Sequence, residues 1–548
     1  MKRVAWLGIA AATLLGAWLR SHGLEVQVVQ DDEWHAIHKL MTSSYAEIFR
    51  SFGFADHSIL LTLFYKALAE TIGLDEVNMR ILQVACGITL VAVGGWLALR
   101  ATASAAIAIL FAFLVAGAPF LVLYSRFARP YAITTLLSVL VLAALWRWRS
   151  RRSLALAVTG CAMASLSAWL HPLSALYPMA ALLFLLADDL QASQWRITAA
   201  RSTIVLGIAA GVAIALPLLP PVLNDIESLA AKAGDSRPTA YTLTRVLSLF
   251  AGGLPDPVTW IVAAVAAWGA WIGVRPVTRA RPGMVQARRL HPRSMGAYLL
   301  FATLAPLLVV ITLRGSWTHQ GHTLARYVFP AQLAFLFWFA CGAMDLVGRM
   351  NRPARPAIEG LAVAALIVGY LALNPAITQV RTLGPWYGHL YHHFDYVDAD
   401  NRALRYYDRW TVPHFYATLG ALPEDSVTII QAPFNFEAPY NPDAFYARVH
   451  RQRELQGFLY DLCLAGPRYG EVPHDPRFHF RDFVFLDDRE AVRRSGARYL
   501  VFQRDLFHGA PFEQSEACLE ALRGRYGEPI EMDARLAVFD LAKATAAP

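Results

Sequence analysis

Three consecutive carboxylates, Asp31, Asp32 and Glu33, follow closely after the first apolar segment of the chain. Acidic side chains at the start of a helix cap its N-terminus and complement its dipole, which is one interpretation of the cluster. A carboxylate whose pKa is raised by a neighbouring carboxylate and a partly dry site can instead act as a general base. The cluster falls just where the chain leaves a predicted membrane. We therefore predict that Asp32 is a base and that Asp31 and Glu33 contact a substrate.

A second set of polar residues is basic. Arg126 and Arg129 lie in a segment that ends in Arg-Pro-Tyr at Tyr131, and Arg326 stands at the start of a later apolar run. An arginine at such a position can extend to lipid headgroups. It can also clamp a phosphate through two parallel hydrogen bonds. We predict the second role for all three arginines, with Tyr131 beside them.

Histidines also occur beside apolar segments. His57 and His171 are each either structural or in contact with a ligand, and we include both among the predicted substrate-binding residues. His319 and His322 are spaced three apart, as two metal ligands can be, but no third ligand lies nearby. The sequence therefore predicts no metal and no cofactor. It contains neither a Walker loop nor a G-x-G-x-x-G after a strand, so nothing indicates a nucleotide substrate.

The composition shows what must position these residues. Of 548 residues, 56% are hydrophobic and only 16% are charged, and the mean hydropathy is +0.38. These values are typical of an integral membrane protein. The net charge of +8 comes from arginines clustered in short segments between apolar runs. That distribution fits membrane topology better than a nucleic-acid-binding surface.

Eleven apolar runs are long enough to cross a bilayer of about 30 Å. They lie at about 4–20, 79–99, 103–123, 130–146, 154–170, 172–187, 202–222, 258–274, 295–313, 326–348 and 357–374. Every alternate connection is rich in arginine, as the positive-inside rule requires. The predicted topology has a cytoplasmic N-terminus and a tail outside, in the inner (plasma) membrane.

The first external loop, residues 21–78, contains two further apolar stretches. Residues 57–72 are too short and too charged for a span, and counting them as one would invert every later loop. Residues 34–50 carry apolar side chains at helical spacing with polar residues between them. We predict that both stretches lie as helices in the membrane interface, beside the acidic cluster.

After residue 375 the pattern becomes globular. Residues 376–548 predict a small α/β domain with buried strands at 427–430, 483–486, 499–502 and 536–539 and helices near 441–462 and 512–525. Residues 1–375 form the predicted transmembrane domain. Cys463 and Cys518 lie in the tail and could pair if it is exported.

Several of these features resemble the GT-C superfamily of membrane glycosyltransferases, and more closely its branch of protein O-mannosyltransferases and lipid A aminoarabinose transferases. Asp32-Glu33 matches an acidic pair in the first external loop of that branch. Asp56-His57-Ser58 matches a motif that introduces an interfacial helix, although Ser58 stands where proline is common. Ser125 to Tyr131 matches a segment ending in Arg-Pro-Tyr, and Arg326-Tyr327 with Pro330 matches the opening of a late span.

The resemblance implies a GT-C fold and an inverting transfer of a sugar from a polyprenyl-phosphate carrier to an acceptor hydroxyl on the external, periplasmic face. Asp32 would be the base and the arginines would bind phosphate. The implied partners are the lipid-linked donor, membrane lipid, and an acceptor glycan, lipid or protein of the cell envelope. A transporter or flippase of lipid-linked saccharides would share the spans and the basic loops. An inert partner in assembly of an envelope polysaccharide is a third reading.

Overall fold

The structure is a computed structural model that describes residues 2–27, 29, 32–53, 58–232, 234, 236–274, 292–313, 315, 318–350, 355–374, 376–377, 412–434, 443–460, 462–464, 475, 477–480, 483–504 and 512–544. The chain divides into two compact units. The first contains Met1–His22, Ser43–Leu63 and Arg80–Thr378, and the second contains Gly23–Thr42, Phe64–Met79 and Gln379–Pro548. Two stretches of the predicted first external loop therefore belong to the same unit as the tail. The predicted division near residue 375 remains a prediction.

Helices account for most of the first 377 residues. They are α1 (Lys2–Ser21), α2 (Glu33–Thr42), α3 (Tyr45–Arg50), α4 (Ile59–Thr71), α5 (Ile81–Thr102), α6 (Ala105–Gly117), α7 (Pro119–Ser125), α8 (Tyr131–Arg151), α9 (Leu154–Leu170), α10 (Leu176–Ala192), α11 (Ile197–Asn224), α12 (Ile226–Ala230), α13 (Ala240–Ala251), α14 (Asp256–Val274), α15 (Pro292–Thr312), α16 (Gly321–Tyr327), α17 (Phe329–Met350) and α18 (Arg355–Leu373). Short 3-10 turns occupy Leu24–Val26 and Pro172–Ala175.

Within the described ranges, eight helices are long and apolar enough to cross a membrane: Arg3–Ser21, Ile81–Thr102, Tyr131–Arg151, Pro172–Ala192, Ile197–Asn224, Asp256–Val274, Met295–Thr312 and Phe329–Arg349. The bent pair α6 and α7 adds a ninth candidate, and Leu154–Leu170 and Ala357–Leu373 are shorter apolar helices. Every predicted apolar run is thus helical. The chain is a multi-pass membrane protein, which confirms the predicted fold class.

The bend between α6 and α7 has a local cause. The two helices meet at 58° around Ala118, and Pro119 is the first residue of α7. Proline has no N–H to offer the carbonyl four residues earlier, so the carbonyl of Val115 loses its helical partner. Arg20 of α1 is completely buried and donates to the carbonyl oxygens of Val115 (3.2 Å) and Ala116 (3.0 Å). One guanidinium therefore satisfies the backbone that the bend exposes.

The same guanidinium restricts which residue can occupy position 87 in helix α5. Arg20 Nε donates to Ser125 Oγ at 3.2 Å, and this pair lies against Gly87 of α5. A Cβ atom at Gly87 would lie 2.2 Å from Ser125 Oγ and 2.9 Å from Arg20 Nε. Only glycine leaves enough room for α5 at this contact.

Replacing Arg20 with leucine should destabilise the membrane unit strongly. Each buried carbonyl left without a donor costs about 1–3 kcal/mol, and the membrane interior offers no water in exchange. We expect a lower thermal midpoint in detergent, measured by light scattering or tryptophan fluorescence. Thr13→Val is the matched control, because the Thr13 hydroxyl donates only within α1, to Ile9 O at 2.8 Å. Equal midpoints for the two variants would contradict this account.

The predicted helix over 34–50 is interrupted. The structure has α2 up to Thr42 and a new helix α3 from Tyr45. Ser44 and Glu47 form a reciprocal capping box in which Ser44 Oγ accepts from the Glu47 N–H and Glu47 Oε2 accepts from the Ser44 N–H. The spacing S-x-x-E is the sequence signal for such a start. It divides a stretch whose apolar periodicity alone predicts one continuous helix.

The tail is built on a six-stranded sheet with strand order β3-β2-β1-β4-β6-β5. The strands are β1 (Thr428–Ala432), β2 (Arg453–Phe458), β3 (Phe483–Phe485), β4 (Tyr499–Gln503), β5 (Glu531–Met532) and β6 (Leu536–Asp540). Strands β1 to β4 pair in parallel, with Ile430 opposite both Leu455 and Leu500, whereas β6 is antiparallel to β4 and to β5. The helices around the sheet are His414–Gly420, Asp443–His450, Arg489–Arg494, Phe512–Tyr526 and Leu541–Ala544.

Alternation along the strands gives the sheet two faces. One face presents Ile430, Leu500 and Phe539 to a core that includes Leu519 and Leu522 of the helix Phe512–Tyr526. The opposite face presents Ile429, Val501 and Val538 to a second core that includes Phe415 and Leu419. Both faces are covered, as is usual for parallel sheets.

All four predicted strands and the helix near 512–525 are confirmed. The predicted helix at 441–462 is wrong in its second half, because the helix ends at His450 and β2 follows from Arg453. Strand β2 lacks the expected apolar residues on one face, where Glu454 and Gln456 are buried instead. Glu454 Oε1 accepts from Gln431 Nε2 (3.2 Å) and lies 2.9 Å from His450 Nε2. Because these buried side chains are polar, the apolar pattern in the sequence does not indicate a strand here.

Cys463 and Cys518 form a disulfide with their Cα atoms 5.0 Å apart. Cys518 is completely buried in the core beneath the sheet. The bond joins the chain after β2 to the helix Phe512–Tyr526, across 55 residues. Disulfides of this structural kind occur mainly in proteins exposed to an oxidising compartment.

Candidate functional site

Asp32 immediately precedes α2 in the second unit. Its side chain is 15% exposed, and its Oδ1 lies 3.4 Å from Nε2 of His35, one turn later in the helix. Its carbonyl oxygen accepts a hydrogen bond from the backbone N–H of His35 at 3.3 Å. Asp32 therefore lies at the helix start, where the capping interpretation places it. It also presents a partly exposed carboxylate beside an imidazole, which suits a general base.

The other members of the acidic cluster differ from Asp32. Glu33 is the first residue of α2 and is completely buried. Asp31 lies outside the described residues, as does His57. A buried glutamate in the first turn of a helix is favourably placed in the field of the helix dipole. Contact between substrate and Asp31, Glu33 or His57 remains a prediction.

One tryptophan fixes the orientation of α2. Trp34 is completely buried, and its indole N–H donates to the carbonyl of Val29 at 2.8 Å. Its ring packs against Phe434, Phe480 and Phe483, with centroid distances of 5.3, 5.8 and 5.5 Å. These three residues follow β1 or belong to the β3 region of the sheet. The helix that carries Asp32 is thus anchored on the tail, a contact that periodicity alone does not predict.

The surroundings of His38, a second histidine on α2, shift its pKa. Burial, and then the nearby charge of His35, lower the pKa of His38 to about 4. The unfolded chain has a higher histidine pKa, so protons bind preferentially to the unfolded state between the two values. The resulting stability is fully present above a pH of about 6.5 and is lost as the pH falls towards 4.

We therefore expect the second unit to lose stability when the pH is lowered from 7 to 4.5. His38→Gln should flatten that dependence, because glutamine binds no proton. The measurement is the thermal midpoint against pH for both proteins. His414→Gln serves as a control, since the side chain of His414 is largely exposed. A steep and unchanged pH dependence in His38→Gln would show that other groups cause the loss.

The first unit holds the basic residues, and Arg126 begins the turn between α7 and α8. Its guanidinium is completely buried, and Nη1 donates to the carbonyl oxygens of Leu19 (3.2 Å) and His22 (2.7 Å). These carbonyls lie at the C-terminal end of α1, where a positive charge complements the helix dipole. Arg126 thus ties the end of α1 to this turn. Its predicted role in binding phosphate remains a prediction.

Tyr131, His171 and Arg326, three of the predicted residues, come together in this unit. The Tyr131 ring lies 5.7 Å from the His171 ring and 5.9 Å from the ring of Tyr327. The guanidinium of Arg326 lies 5.6 Å from the Tyr131 centroid and 5.3 Å from that of Tyr327. The faces of aromatic rings attract a cation at these distances. We call these four residues the aromatic–arginine cluster.

Arg129 lies just before this cluster in the chain. Its side chain is 6% exposed, and its backbone N–H donates to the carbonyl of Phe127 at 2.7 Å in the turn that leads to α8. Pro130 then precedes the first residue of the helix, Tyr131. The tight turn places Arg129 and Tyr131 two residues apart at the start of one span.

A small cavity adjoins the aromatic–arginine cluster. Its lining includes Tyr131, His171, Arg326 and Tyr327 together with Ser138 and Tyr177. The hydroxyls of Ser138 and Tyr177 are buried and have no hydrogen-bond partner among the described residues. Buried hydroxyls normally hold a hydrogen bond to protein or ordered water. The cavity therefore offers polar contacts to water or to a bound group.

Two further residues belong to this region but were not predicted as substrate contacts. The hydroxyl of Tyr124 lies 3.1 Å from Nε2 of His322, and the Tyr124 ring packs on Tyr131 at 5.0 Å. His322 was considered only as a metal ligand. Among the described residues, no group of three or more His, Cys, Asp or Glu side chains could hold a metal ion. The signal for His322 was its position four residues before Arg326.

No family model matches this chain. No curated protein matches it either. Solved structures similar to this chain include ArnT from Cupriavidus metallidurans in the apo state and the same protein bound to undecaprenyl phosphate. Each is 12% identical, with a TM-score of 0.43, over 99% of this chain and 98% of the other. At that level of likeness, function must be argued from the residues of this chain.

The first unit has two chemically distinct ends. Arg126, Arg129, Arg326 and His171 gather at one end, where α1 finishes and α8 begins. At the other end of α8, Arg149 pairs with Asp188 and Arg152 pairs with Asp189. The first end combines cations with aromatic rings, a pattern able to hold a phosphate and stack on a sugar. The second end is the basic edge that membrane topology predicts.

Proposed function

We propose that this protein is a membrane glycosyltransferase. It moves a sugar from a polyprenyl-phosphate donor to an acceptor hydroxyl, with inversion, on the external face of the inner membrane. Asp32 is the general base, and Arg126, Arg129 and Arg326 bind the donor phosphate. His57, His171, Tyr131, Asp31 and Glu33 contact the substrates.

The aromatic–arginine cluster is the observation that carries this proposal. Arg326 is half-buried against two tyrosine rings, and His171 packs within 5.1 Å of Tyr327. A guanidinium among aromatic rings at the end of membrane spans suits a ligand with a phosphate, a sugar and a lipid. A soluble sugar alone would not need a site at the end of membrane spans. The sequence contains neither a Walker loop nor a G-x-G-x-x-G after a strand, so no motif supports a nucleotide donor.

Two independent observations bear on the side of the membrane at which the proposed site lies. Arg126 binds the last carbonyls of α1, so the end of α1 lies with the arginines, and no apolar run separates His22 from Asp32 in the sequence. The disulfide between Cys463 and Cys518 favours an oxidising compartment for the tail. The first feature favours one side of the membrane for the acids and the arginines, and the second favours an extracytoplasmic location for the tail.

The chemistry requires one proton transfer and one substitution. Asp32 accepts the proton of the acceptor hydroxyl while that oxygen attacks the anomeric carbon of the sugar. The bond between this carbon and the phosphate oxygen breaks, and the polyprenyl phosphate leaves with the electron pair. Attack from the opposite face inverts the anomeric centre. Arg129 and Arg326 stabilise the charge that develops on the departing phosphate.

The decisive experiment uses purified full-length protein in detergent with a polyprenyl-phosphate sugar and candidate acceptors. A transferase releases free polyprenyl phosphate in step with the glycosylated acceptor, and mass spectrometry detects both. A flippase, the alternative function, leaves the donor chemically unchanged but moves it across the membrane of a proteoliposome. Movement without release would overturn the proposal.

Topology is tested separately by labelling. In a background that keeps the disulfide but lacks the free cysteines Cys86, Cys161 and Cys341, Glu25→Cys should react with a membrane-impermeant reagent on intact spheroplasts, because Glu25 is exposed in the first loop. Arg151→Cys, exposed at the other end of α8, should react only after permeabilisation. The reverse pattern would place Asp32 in the cytoplasm and exclude the proposed orientation.

A further inference from the structure

A groove lies at the end of the first unit remote from the aromatic–arginine cluster. It has a volume of about 870 Å³ and is bounded by the end of α8 and the first halves of α9 and α11. Helix α9 begins at Leu154 beside the groove and ends at Leu170, next to His171 of the cluster. The groove is therefore separated from the proposed catalytic region by the length of a span.

Most of the groove wall is apolar and faces outward. Leu154, Val158 and Val205 line it and are 78%, 58% and 57% exposed. Ala157 and Ala209 also line it, and their small side chains leave the space open. Exposed apolar surface of this kind on a membrane helix is where lipid chains pack. The volume is within the range of specific ligand sites.

The mouth of the groove is positively charged. Arg152 is committed to protein contacts: Nη2 donates to both carboxylate oxygens of Asp189 at 2.9 Å, and Nη1 donates to Ser202 and Thr203. Arg201 is different. It lines the same groove, is exposed, and has no ion pair or hydrogen bond with any residue that the structure describes.

The surrounding charges reinforce this difference. Asp188 and Asp189, near the end of α10, are already paired with Arg149 and Arg152. Four more arginines lie close to the adjoining ends of α8 and α11, and none has an ion pair with a residue that the structure describes: Arg147, Arg151, Arg196 and Arg201. An apolar groove with surplus positive charge at its mouth is complementary to an anionic lipid. Basic pockets between membrane helices bind such headgroups.

We propose that this groove binds one anionic phospholipid. Its acyl chains occupy the channel between α9 and α11, and its phosphate lies at Arg201. The groove is separated from the aromatic–arginine cluster by the length of a span. Its apolar wall and basic mouth fit the acyl chains and the phosphate of an anionic membrane lipid. This occupant is distinct from the proposed sugar donor.

Native mass spectrometry of the full-length protein, released from nanodiscs that contain phosphatidylglycerol and phosphatidylcholine, tests this proposal. The wild type should retain one phosphatidylglycerol in preference to phosphatidylcholine. Arg201→Gln should weaken retention about fivefold, the effect of one surface arginine on an anionic lipid. Ala209→Trp should abolish it by filling the groove. Arg100→Gln is the matched control, since Arg100 is exposed at the end of α5 and does not line the groove.

Each other outcome overturns the proposal. Equal retention of phosphatidylcholine would mean that charge is not recognised. Unchanged retention in both Arg201→Gln and Ala209→Trp would place the lipid elsewhere. Retention of added polyprenyl phosphate in place of phosphatidylglycerol by the wild type, and not by Ala209→Trp, would identify the substrate lipid as the occupant. None of these measurements uses transfer activity, so the proposed function can fail without affecting them.

Discussion

Asp32→Asn should reduce sugar transfer about 10²–10⁴-fold, the usual contribution of a general base. Asparagine keeps the size of the side chain and can still accept a hydrogen bond, but it cannot take the proton of the acceptor hydroxyl. Expression, membrane insertion and thermal stability should be unchanged, because the Asp32 side chain is partly exposed and contacts His35, one turn later in the chain. The measurement is kcat with a polyprenyl-phosphate sugar and a saturating acceptor.

Glu25→Gln is the matched control for this experiment. Glu25 is an exposed acid in the short turn Leu24–Val26 of the same loop, and its loss changes the loop charge equally. We expect near wild-type turnover. Wild-type turnover in Asp32→Asn would disprove the assignment of the base. An equal loss in both variants would point to loop charge instead of proton transfer.

Arg326→Gln should lower kcat/KM for the donor about 10²–10³-fold, which is the effect of removing one charge-stabilising donor at a transition state. The guanidinium lies over the rings of Tyr131 and Tyr327, so it is held in place before the substrate arrives. Arg326→Lys should recover part of the loss, because lysine keeps the charge without the planar fork. Steady-state kinetics with varied donor measure both effects.

Arg50→Gln provides the comparison. Arg50 is exposed at the end of α3 in the same unit, and its helix packs against α11. Its replacement should leave donor kinetics unchanged. A loss in Arg326→Gln that appears only in the KM of the acceptor would refute a phosphate contact. Stabilisation of the wild type, and not of Arg326→Gln, by added polyprenyl phosphate would support one.

The membrane helices were the most predictable part of this chain. A span needs about twenty apolar residues in one stretch, so the signal is local and strong. Each of the eleven predicted runs is helical, including the run interrupted at Pro119, where the break is visible in the sequence as a proline. The need for Arg20 at that break was not predictable, because its partners Val115 and Ala116 are distant in the chain.

The tail was predicted less completely for a related reason. Strands with apolar residues on both faces, such as β4, were recognised, whereas β2 carries Glu454 and Gln456 inside the fold. Their burial depends on partners such as Gln431 and His450, which no local pattern reveals. The position of α2 depends likewise on Trp34 meeting aromatic residues of the sheet. Residue types suggested the chemistry, but long-range contacts decide how α2 is held.

The anchoring of Trp34 has a consequence for biosynthesis. Helix α2 leaves the ribosome among the first residues, yet its aromatic partners Phe434, Phe480 and Phe483 are translated near the end. Helix α2 therefore lacks its aromatic packing partners during the time in which the hydrophobic helices are inserted. A gene truncated after α18 would encode all the membrane helices found among the described residues, with an unsupported Asp32. Nonsense mutations late in the reading frame should thus abolish activity while leaving a stable, membrane-integrated product.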